Sequence, residues 1–380
     1  MTADPRDGLD RLATLEPIGP LDQRAMAATR VHLDHLTKPI GSLGRLEELA
    51  VTVAGITGRL DASVARRAIV VAAGDHGVAR HGVSAYPSAV TAQMVANFVA
   101  GGAAINVLAA AAGASVIVVD VGVAGTIPLA RGDRRRGGRL VRARVTDGTA
   151  DMTQGPAMRR ADARQAIAVG VNLVDELRST PGLDLLGVGE MGIGNSTAAS
   201  ALVAAVTGEP VALVTGRGTG IDDETHTRKV AIIERALVAN PPDTADPIGV
   251  LAAVGGLEIA ALVGLILAAA AARIPVILDG FITGAAALVA AAIEPNLPPR
   301  LIASHRSTEP GHGIVLERLG LRPFLDLDLR LGEGSGAALA SGLVVAACRI
   351  RDEMATFESA AVSGPVDLAP GGALARPPDG

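Results

Sequence analysis

Apolar positions in this chain fall in short continuous runs, and most of the runs stop at Gly or Asp just before a helical pattern begins. Residues 68–73 end before Gly74 and Asp75, 115–119 before Asp120, 183–188 before Gly189, and 274–278 before Asp279. Residues 300–303 before Ser304 and 324–329 before Arg330 are further examples. Such runs alternating with Ala-rich helical stretches predict βα units, hence an α/β fold with a parallel sheet covered by helices on both faces. In sheets of this kind ligands bind beyond the carboxyl ends of the strands. Polar and glycine-rich motifs follow the runs here, where such a site would need them.

The chain ends read differently. Residues 9–60 are helical in pattern, with Leu12, Leu15, Met26, Leu33, Leu36, Leu46 and Leu49 as apolar positions and Pro39 and Gly41 as interruptions. Residues 334–360 predict one more helix. The expectation is a small helical domain from 9–60 plus 337–360, and a large α/β catalytic domain over 61–336. Residues 1–8 and 363–380 lack periodicity and read as mobile tails. The stretch 249–272 is apolar and long enough to span a bilayer; no other segment is read as passing that length rule. It is mostly Ala and Gly, however, and carries Glu258 near its middle. A buried helix in a large domain is the preferred reading, and a permease the non-enzyme alternative, which would need several spanning segments.

Composition narrows the classes. Of 380 residues, 49% are hydrophobic, enough for a sizeable core. The net charge of −5 does not favour non-specific binding to nucleic acid. The cluster Arg134, Arg135 and Arg136, with Arg139, Arg142 and Arg144, is local and reads as a solvated loop and strand edge. Cys348 is the single cysteine, so no disulfide within the chain and no cysteine-based zinc site can form. With no Trp, one Tyr and four Phe there is little material for stacking bases. The first ten residues, MTADPRDGLD, lack the basic and apolar regions of a secretory signal, so a cytoplasmic location is expected.

The candidate chemistry centres on residues 187–199, GVGEMGIGNSTAA, which follow a strand-like run and open an Ala-rich helix. Glycines before a helix N-terminus expose backbone N–H groups, and the helix dipole favours an anion there. Asn195, Ser196 and Thr197 add side-chain donors. GVGEMG matches the dinucleotide GxGxxG, but no acidic residue ends a strand about 20 residues later, as NAD binding requires. A dehydrogenase is therefore the weaker enzyme reading, testable by titration with NADH. Gly189 to Ser196 matches a P-loop except that Asn195 replaces the lysine. A single phosphate is the most economical ligand; a tight turn without any ligand is the alternative. Glu190, inside the loop, reads as a partner for a ribose hydroxyl, as a stabiliser of positive charge on a sugar, or as an acid complementing the helix dipole.

Other motifs sit at comparable places. GDHGV (74–78) precedes His81 and the sequence SAYP with Tyr86, and Gln93 lies on the helix expected beyond. Asp75, His76 and His81 fall short of four clear metal ligands, so no metal is expected. KPIGSLGRLE (38–47) reads as a linker or as a lid carrying Lys38. GRGTG (216–220) precedes Lys229; DGFIT (279–283) brings Asp279 and Gly280 to a strand end; SHRSTEPGHG (304–313) contains Ser307. In GEGSG (332–336), Glu333 stands between glycines after Leu325, Leu327, Leu329 and Leu331. A carboxyl group in an apolar pocket has a raised pKa and becomes a better base near neutrality; a helix-capping acid is the plainer reading.

Singly these motifs are ambiguous, but their joint order is specific. KPIGSLGRLE, GDHGV, AYPSAVTAQMV, GGAAINVLA, GEMGIGNSTAA, GRGTG, LDGFITGAAAL, SHRSTEPGH and LRLGEGSGAALA run in sequence along nearly the whole chain. In them the chain resembles the nicotinate-nucleotide:dimethylbenzimidazole phosphoribosyltransferase family (the CobT type). The resemblance implies a Rossmann-like parallel sheet flanked by helices, with a small helical domain made from both chain ends, and a homodimer. It implies a pentosyltransferase that moves the phosphoribosyl group of nicotinate mononucleotide to 5,6-dimethylbenzimidazole, releasing nicotinate, in cobalamin nucleotide-loop synthesis. No cofactor, metal, nucleic acid or membrane is implied. The family's general base falls on Glu333 and its phosphate loop on Gly192, Gly194 and Asn195. Glu190 and Lys229 are implied in the site, Gln93 near the benzimidazole, and Ser307 near the nucleotide. Tyr86, Asp279 and Gly280 are taken as further substrate-binding positions. Adenine, other benzimidazoles or phenols remain open as acceptor bases.

Overall fold

A computed structural model describes residues 11–129, 137–218 and 220–364. Residues 1–8, Arg134, Arg135, Arg136 and most of the C-terminal tail lie outside the described residues. In chain order the helices α1 (Gln23–Asp34) and α2 (Arg45–Thr57) precede strand β1 (Arg67–Gly74), followed by α3 (Ala89–Ala100), α4 (Ala104–Ala111), β2 (Ser115–Gly122) and β3 (Arg139–Arg142). Then come α5 (Arg160–Ser179), β4 (Leu185–Met191), α6 (Asn195–Thr207), the single turn α7 (Val211–Val214), α8 (Asp223–Ala239), α9 (Pro247–Val254) and α10 (Leu257–Ala271). The last elements are β5 (Val276–Leu278), α11 (Phe281–Ile293), β6 (Leu301–Ala303), α12 (Pro310–Leu319) and α13 (Ser335–Glu353).

All strand pairs are parallel, in the order β3-β2-β1-β4-β5-β6. The chain builds outward from β1 to β2 and β3, then returns to place β4, β5 and β6 on the other side. The order therefore reverses between β1 and β4, the switch point where two connections depart in opposite directions and leave a crevice. The fold is α/β, a Rossmann-like sheet flanked by helices. Strand interiors are buried on both faces, as in Val70, Val71, Leu186 and Val188, which is why these runs are continuously apolar rather than alternating.

Five of the six apolar runs form strands. Residues 324–329 do not: Leu325 makes only an isolated bridge to His305, and the segment lies extended along 305–308 through Arg306 N–H to Leu325 O (2.8 Å). Asp328 takes a positive φ of 53° and Leu327 is 55% exposed, so the run lacks the two-sided burial a ladder needs. The sixth strand is β3, at the sheet edge, where Arg139 and Arg142 are exposed; charge on an edge strand discourages pairing with another sheet.

Residues 249–272 are likewise not one helix. They break at Gly255 and Gly256 into α9 and α10, and Leu257–Ala270 are buried throughout. A helix apolar on all sides is a core helix; each fully buried Leu or Ile in it contributes about 1.5–3 kcal/mol over exposure. Glu258 sits within it because its carboxylate meets His76 Nε2 at 2.7 Å. The expectation of one span-length segment was also too narrow: among the described residues 89–111 satisfies length and composition for a span, although Gly101 and Gly102 interrupt it between α3 and α4.

The described chain divides into two compact units. The larger contains the segment up to Pro20 and Arg66–Ser341; the smaller contains Leu21–Ala65 and the chain from Gly342 onward. In the smaller unit α1 is capped by Asp22, whose carboxylate accepts from Ala25 N–H (2.9 Å). Met26 packs where Gly55 of α2 leaves room, since a Cβ at Gly55 would come within 2.7 Å of its Cγ. Arg351 reaches the carbonyl of Ala62 (2.9 Å). Lys38 is buried and paired with Glu47 at 2.8 Å, so the KPIGSLGRLE segment is tied down within that unit rather than free.

Candidate active site

A cavity of about 550 Å³ opens at the carboxyl ends of the strands. Its walls come from the segments that leave them: Tyr86 after β1, Glu190 to Ser196 from β4 into α6, Gly280 to Ile282 from β5 into α11, His305 to Glu309 after β6, and Asp328 to Glu333 ahead of α13. Gly218 completes the lining before α8.

The loop from β4 into α6 is shaped by glycine. A Cβ at Gly192 would strike the carbonyl of Gly74 at the end of β1, and Gly194 has φ 98° as the residue entering α6. Both conditions exclude larger residues. The start of α6 is thereby held against β1 at the switch point, with the side chains of Asn195 and Ser196 on the cavity wall.

Glu190 is buried and accepts a hydrogen bond from Asn195 Nδ2. Its carboxyl presses on Gly332, where a Cβ would overlap Oε1. Burial, with the carboxylates of Asp279, Glu258 and Glu333 nearby, pushes its pKa up to about 8 against the opposing pull of Asn195. Glu190 therefore keeps its proton over most of the neutral range.

Glu333 occupies a left-handed backbone conformation (φ 64°) between Gly332 (83°) and Gly334 (86°). Its side chain is buried, and Oε2 has no partner among the described residues. Burial raises its pKa to about 7, with the Ile105 backbone N–H pulling the other way. The turn rests on β4 at Gly189, where a Cβ would overlap Gly334 N and the Glu333 carbonyl carbon.

A second corner gathers Ser196, Gly218, Glu309 and Arg330. Glu309 accepts from Gly218 N–H (2.8 Å), and Arg330 donates to Gly218 O (3.3 Å). Lys229, on α8, is fully buried behind this corner. Its Nζ donates to Ser196 Oγ (3.0 Å) and Gly216 O (3.1 Å). Burial lowers its pKa to about 8, partly offset by Glu309. Because Ser196 Oγ accepts from an ammonium, its own O–H remains available to an anion in the cavity. Ser307 N–H donates to His312 Nδ1 (2.9 Å), and burial lowers the His312 pKa to about 3. A neutral His312 accepting at Nδ1 carries its proton on Nε2.

Of the sequence-selected residues, Glu190, Gly192, Asn195, Tyr86, Gly280, Ser307 and Glu333 line this one cavity. Gly194, Gln93, Lys229 and Asp279 do not. Gln93 is exposed on α3, Lys229 lies behind Ser196, and Asp279 turns to the backbone before α13. Sequence reasoning missed Glu309 and Arg330. Glu309 lies inside the polar SHRSTEPGHG segment, and Arg330 is the lone cation between two leucines; those were the only signals available. The three residues weighed as metal ligands have separate partners: His76 pairs with Glu258, His81 with Asp151 (2.8 Å), and Asp75 with Ala124 N–H (2.8 Å).

Comparison with known proteins places nearly the whole chain in a family. A family profile described as Phosphoribosyltransferase matches residues 18–362. The nicotinate-nucleotide–dimethylbenzimidazole phosphoribosyltransferase of Chloroflexus aggregans is 58% identical over 350 residues, covering 92% of this chain and 97% of the relative. That of a Roseiflexus species is 54% identical over 354 residues, covering 93% and 98%. A crystal structure of the enzyme of that name from Thermus thermophilus superposes with a TM-score of 0.82 at 46% identity, over 91% of this chain and all of the other.

Proposed function

The chain belongs to the nicotinate-nucleotide–dimethylbenzimidazole phosphoribosyltransferase family, and on that premise we propose that it transfers the phosphoribosyl group of nicotinate mononucleotide to 5,6-dimethylbenzimidazole. The products are α-ribazole 5′-phosphate and nicotinate. One observation carries the reading: Glu333, with an unpartnered carboxylate oxygen, shares a cavity with a glycine-shaped helix N-terminus bearing Asn195 and Ser196.

A benzimidazole nitrogen attacks C1′ of the ribose as the bond from C1′ to the pyridinium nitrogen breaks. The bonding electrons return to nicotinate, which leaves neutral at nitrogen and needs no acid. Attack from the opposite face turns a β-nucleotide into an α-nucleotide. The attacking ring becomes cationic unless its other N–H proton is removed. Glu333 Oε2 takes that proton, and a pKa near 7 suits a base working at neutrality. The start of α6, with Ser196 and Ser307, receives the phosphate, and Lys229 polarises Ser196 from behind. The pyridinium of the bound nucleotide draws Glu190 toward its ionised form, in which it stabilises positive charge on the ribose. Holding both rings in line supplies much of the rate.

Gln93, on α3 and outside the lining of this cavity, is assigned to the acceptor base in a homodimeric, cytoplasmic enzyme. The terminal helical segments form its small domain. The reading is tested by incubating purified protein with nicotinate mononucleotide and dimethylbenzimidazole and following products by mass spectrometry. Free nicotinate with a ribazole phosphate is the expected outcome. Nucleotide binding without product would shift the acceptor to adenine or a phenol, and no nucleotide binding would overturn the reading.

A further inference from the structure

Asp279 follows β5 just before Gly280 of the cavity wall, yet it does not itself line the cavity and is almost fully buried, with Oδ1 3.9 Å from His305 Nδ1. Three backbone N–H groups converge on it. Oδ2 accepts from Gly334 (3.0 Å), and Oδ1 accepts from Gly336 (2.7 Å) and Ala337 (3.3 Å). Gly336 and Ala337 belong to the first turn of α13, whose N–H groups have no partner within the helix. Gly334 immediately follows Glu333 in the left-handed turn. A single side chain at the end of β5 thus caps α13 and fixes the residue next to Glu333.

We propose that Asp279 is a positioning residue for the transfer reaction: its carboxylate clamps the turn at residues 332–334 so that Glu333 presents its free oxygen to the acceptor. Three consecutive residues with positive φ, one of them non-glycine, are costly to hold and persist only where the surroundings over-determine them. Asp279 supplies the constraint from one side, and the close approach of Gly189 to Gly334 N supplies it from the other. Ser304 Oγ donates to the Asp279 carbonyl (2.9 Å), which anchors the clamp itself to the end of β6. This inference rests on the reading of Glu333 as the general base.

The sharp variant is Asp279→Asn. It keeps the shape, but an amide has one accepting atom where the carboxylate has two. If its oxygen takes the place facing Gly336 and Ala337, its NH₂ opposes the N–H of Gly334, beside Glu333. Turnover is expected to fall by roughly tenfold to a hundredfold, the scale of a small misplacement of a reacting group. Nucleotide affinity by calorimetry should stay within about threefold, because the loss is confined to the chemical step. The acid limb of the pH–rate profile should also move to lower pH. Glu333 owes its raised pKa to burial, and a loosened turn relieves that burial; the titratable groups that feel its charge are Glu190 and Asp279. Asp279→Ala removes all three contacts and should lose more turnover than Asp279→Asn. Wild-type turnover and an unmoved acid limb in Asp279→Asn would overturn the clamp. So would a loss confined to nucleotide affinity, which would return Asp279 to substrate binding. Glu333→Gln, assayed alongside, separates the two levels: if it turns over normally the base assignment fails, whereas an inactive Glu333→Gln beside a fully active Asp279→Asn sinks only the clamp.

Discussion

Glu333 illustrates how much a single residue's setting can decide. Its chemistry is ordinary; its backbone conformation, burial and unpartnered oxygen are not. Glu333→Gln removes the ability to accept a proton while keeping size and most hydrogen bonding. We expect it to bind nicotinate mononucleotide with little change and to lose about two to four orders of magnitude in turnover, the range for general-base catalysis. In the wild type, turnover should rise with pH through a limb near 7, as Glu333 gives up its proton, and that limb should vanish in the variant's residual rate. Near-normal turnover in Glu333→Gln would take it out of the mechanism. At this scale the sequence exposed motifs better than side-chain directions. Glycine brackets around Glu333 and before Asn195 announced turns at strand ends, and turns at strand ends meet at the switch point. Nothing in GRGTG or DGFIT says that Lys229 stops behind Ser196 or that Asp279 turns toward α13. Those facts depend on which way a side chain leaves its element. That direction is set by partners 13 and 33 positions away for Lys229 and 55 or more for Asp279, which only the folded chain brings close.

Elements follow local pattern until tertiary contacts intervene. The strands formed from the runs at 68–73, 115–119, 183–188, 274–278 and 300–303 are buried along nearly their whole length. The run at 324–329 alternates apolar residues with Asp326 and Asp328 and is nowhere fully buried, and β3, with Arg139 and Arg142, was accepted at the edge where charge is tolerated. The α9–α10 break was hidden because a Gly-Gly pair inside an apolar stretch does not by itself dictate a helix end. What requires glycine at the break is a close approach, since a Cβ at Gly256 would collide with the His76 ring. A related approach governs α5 and α10. A Cβ at Gly264 would overlap the carbonyl oxygen of Ile167, and one at Gly170 would overlap that of Ala261. Backbone atoms of two packed helices cannot yield as a side-chain tip can. Gly264→Ala should therefore destabilise the protein by about 1–3 kcal/mol, the usual cost of overpacking a core, despite alanine's better helix propensity. Chemical denaturation would measure it; a neutral or stabilising change would show that the two helices can separate without cost.

On the scale of the whole molecule, the parallel sheet assembles a group of acids that no single segment contains. Glu190 ends β4, Asp279 follows β5, Glu258 opens α10 and Glu333 precedes α13, and their mutual repulsion is felt at Glu190. Buried carboxyls with raised pKa values make the fold less stable as they ionise. Glu190 moves from an ordinary 4.5 to about 8. Between those values the native state keeps a proton that the unfolded chain has released, so unfolding is favoured increasingly as pH rises. The stability associated with protonated Glu190 is complete below about pH 4.5 and is lost by the time pH passes 8. Glu190→Gln keeps an oxygen to accept from Asn195 but has no proton to lose. Thermal denaturation of the unliganded proteins should then give similar midpoints for wild type and Glu190→Gln near pH 5, and a higher midpoint for the variant at about pH 8. Each pKa unit corresponds to about 1.4 kcal/mol, so the gap should reach the order of a few kcal/mol. A gap that does not change with pH would mean that Glu190 ionises in the fold at its ordinary value and that the surrounding acids do not act on it. A gap that opens as predicted would mean that the site is held at a cost in stability, the usual exchange where a cavity must hold reactive charge.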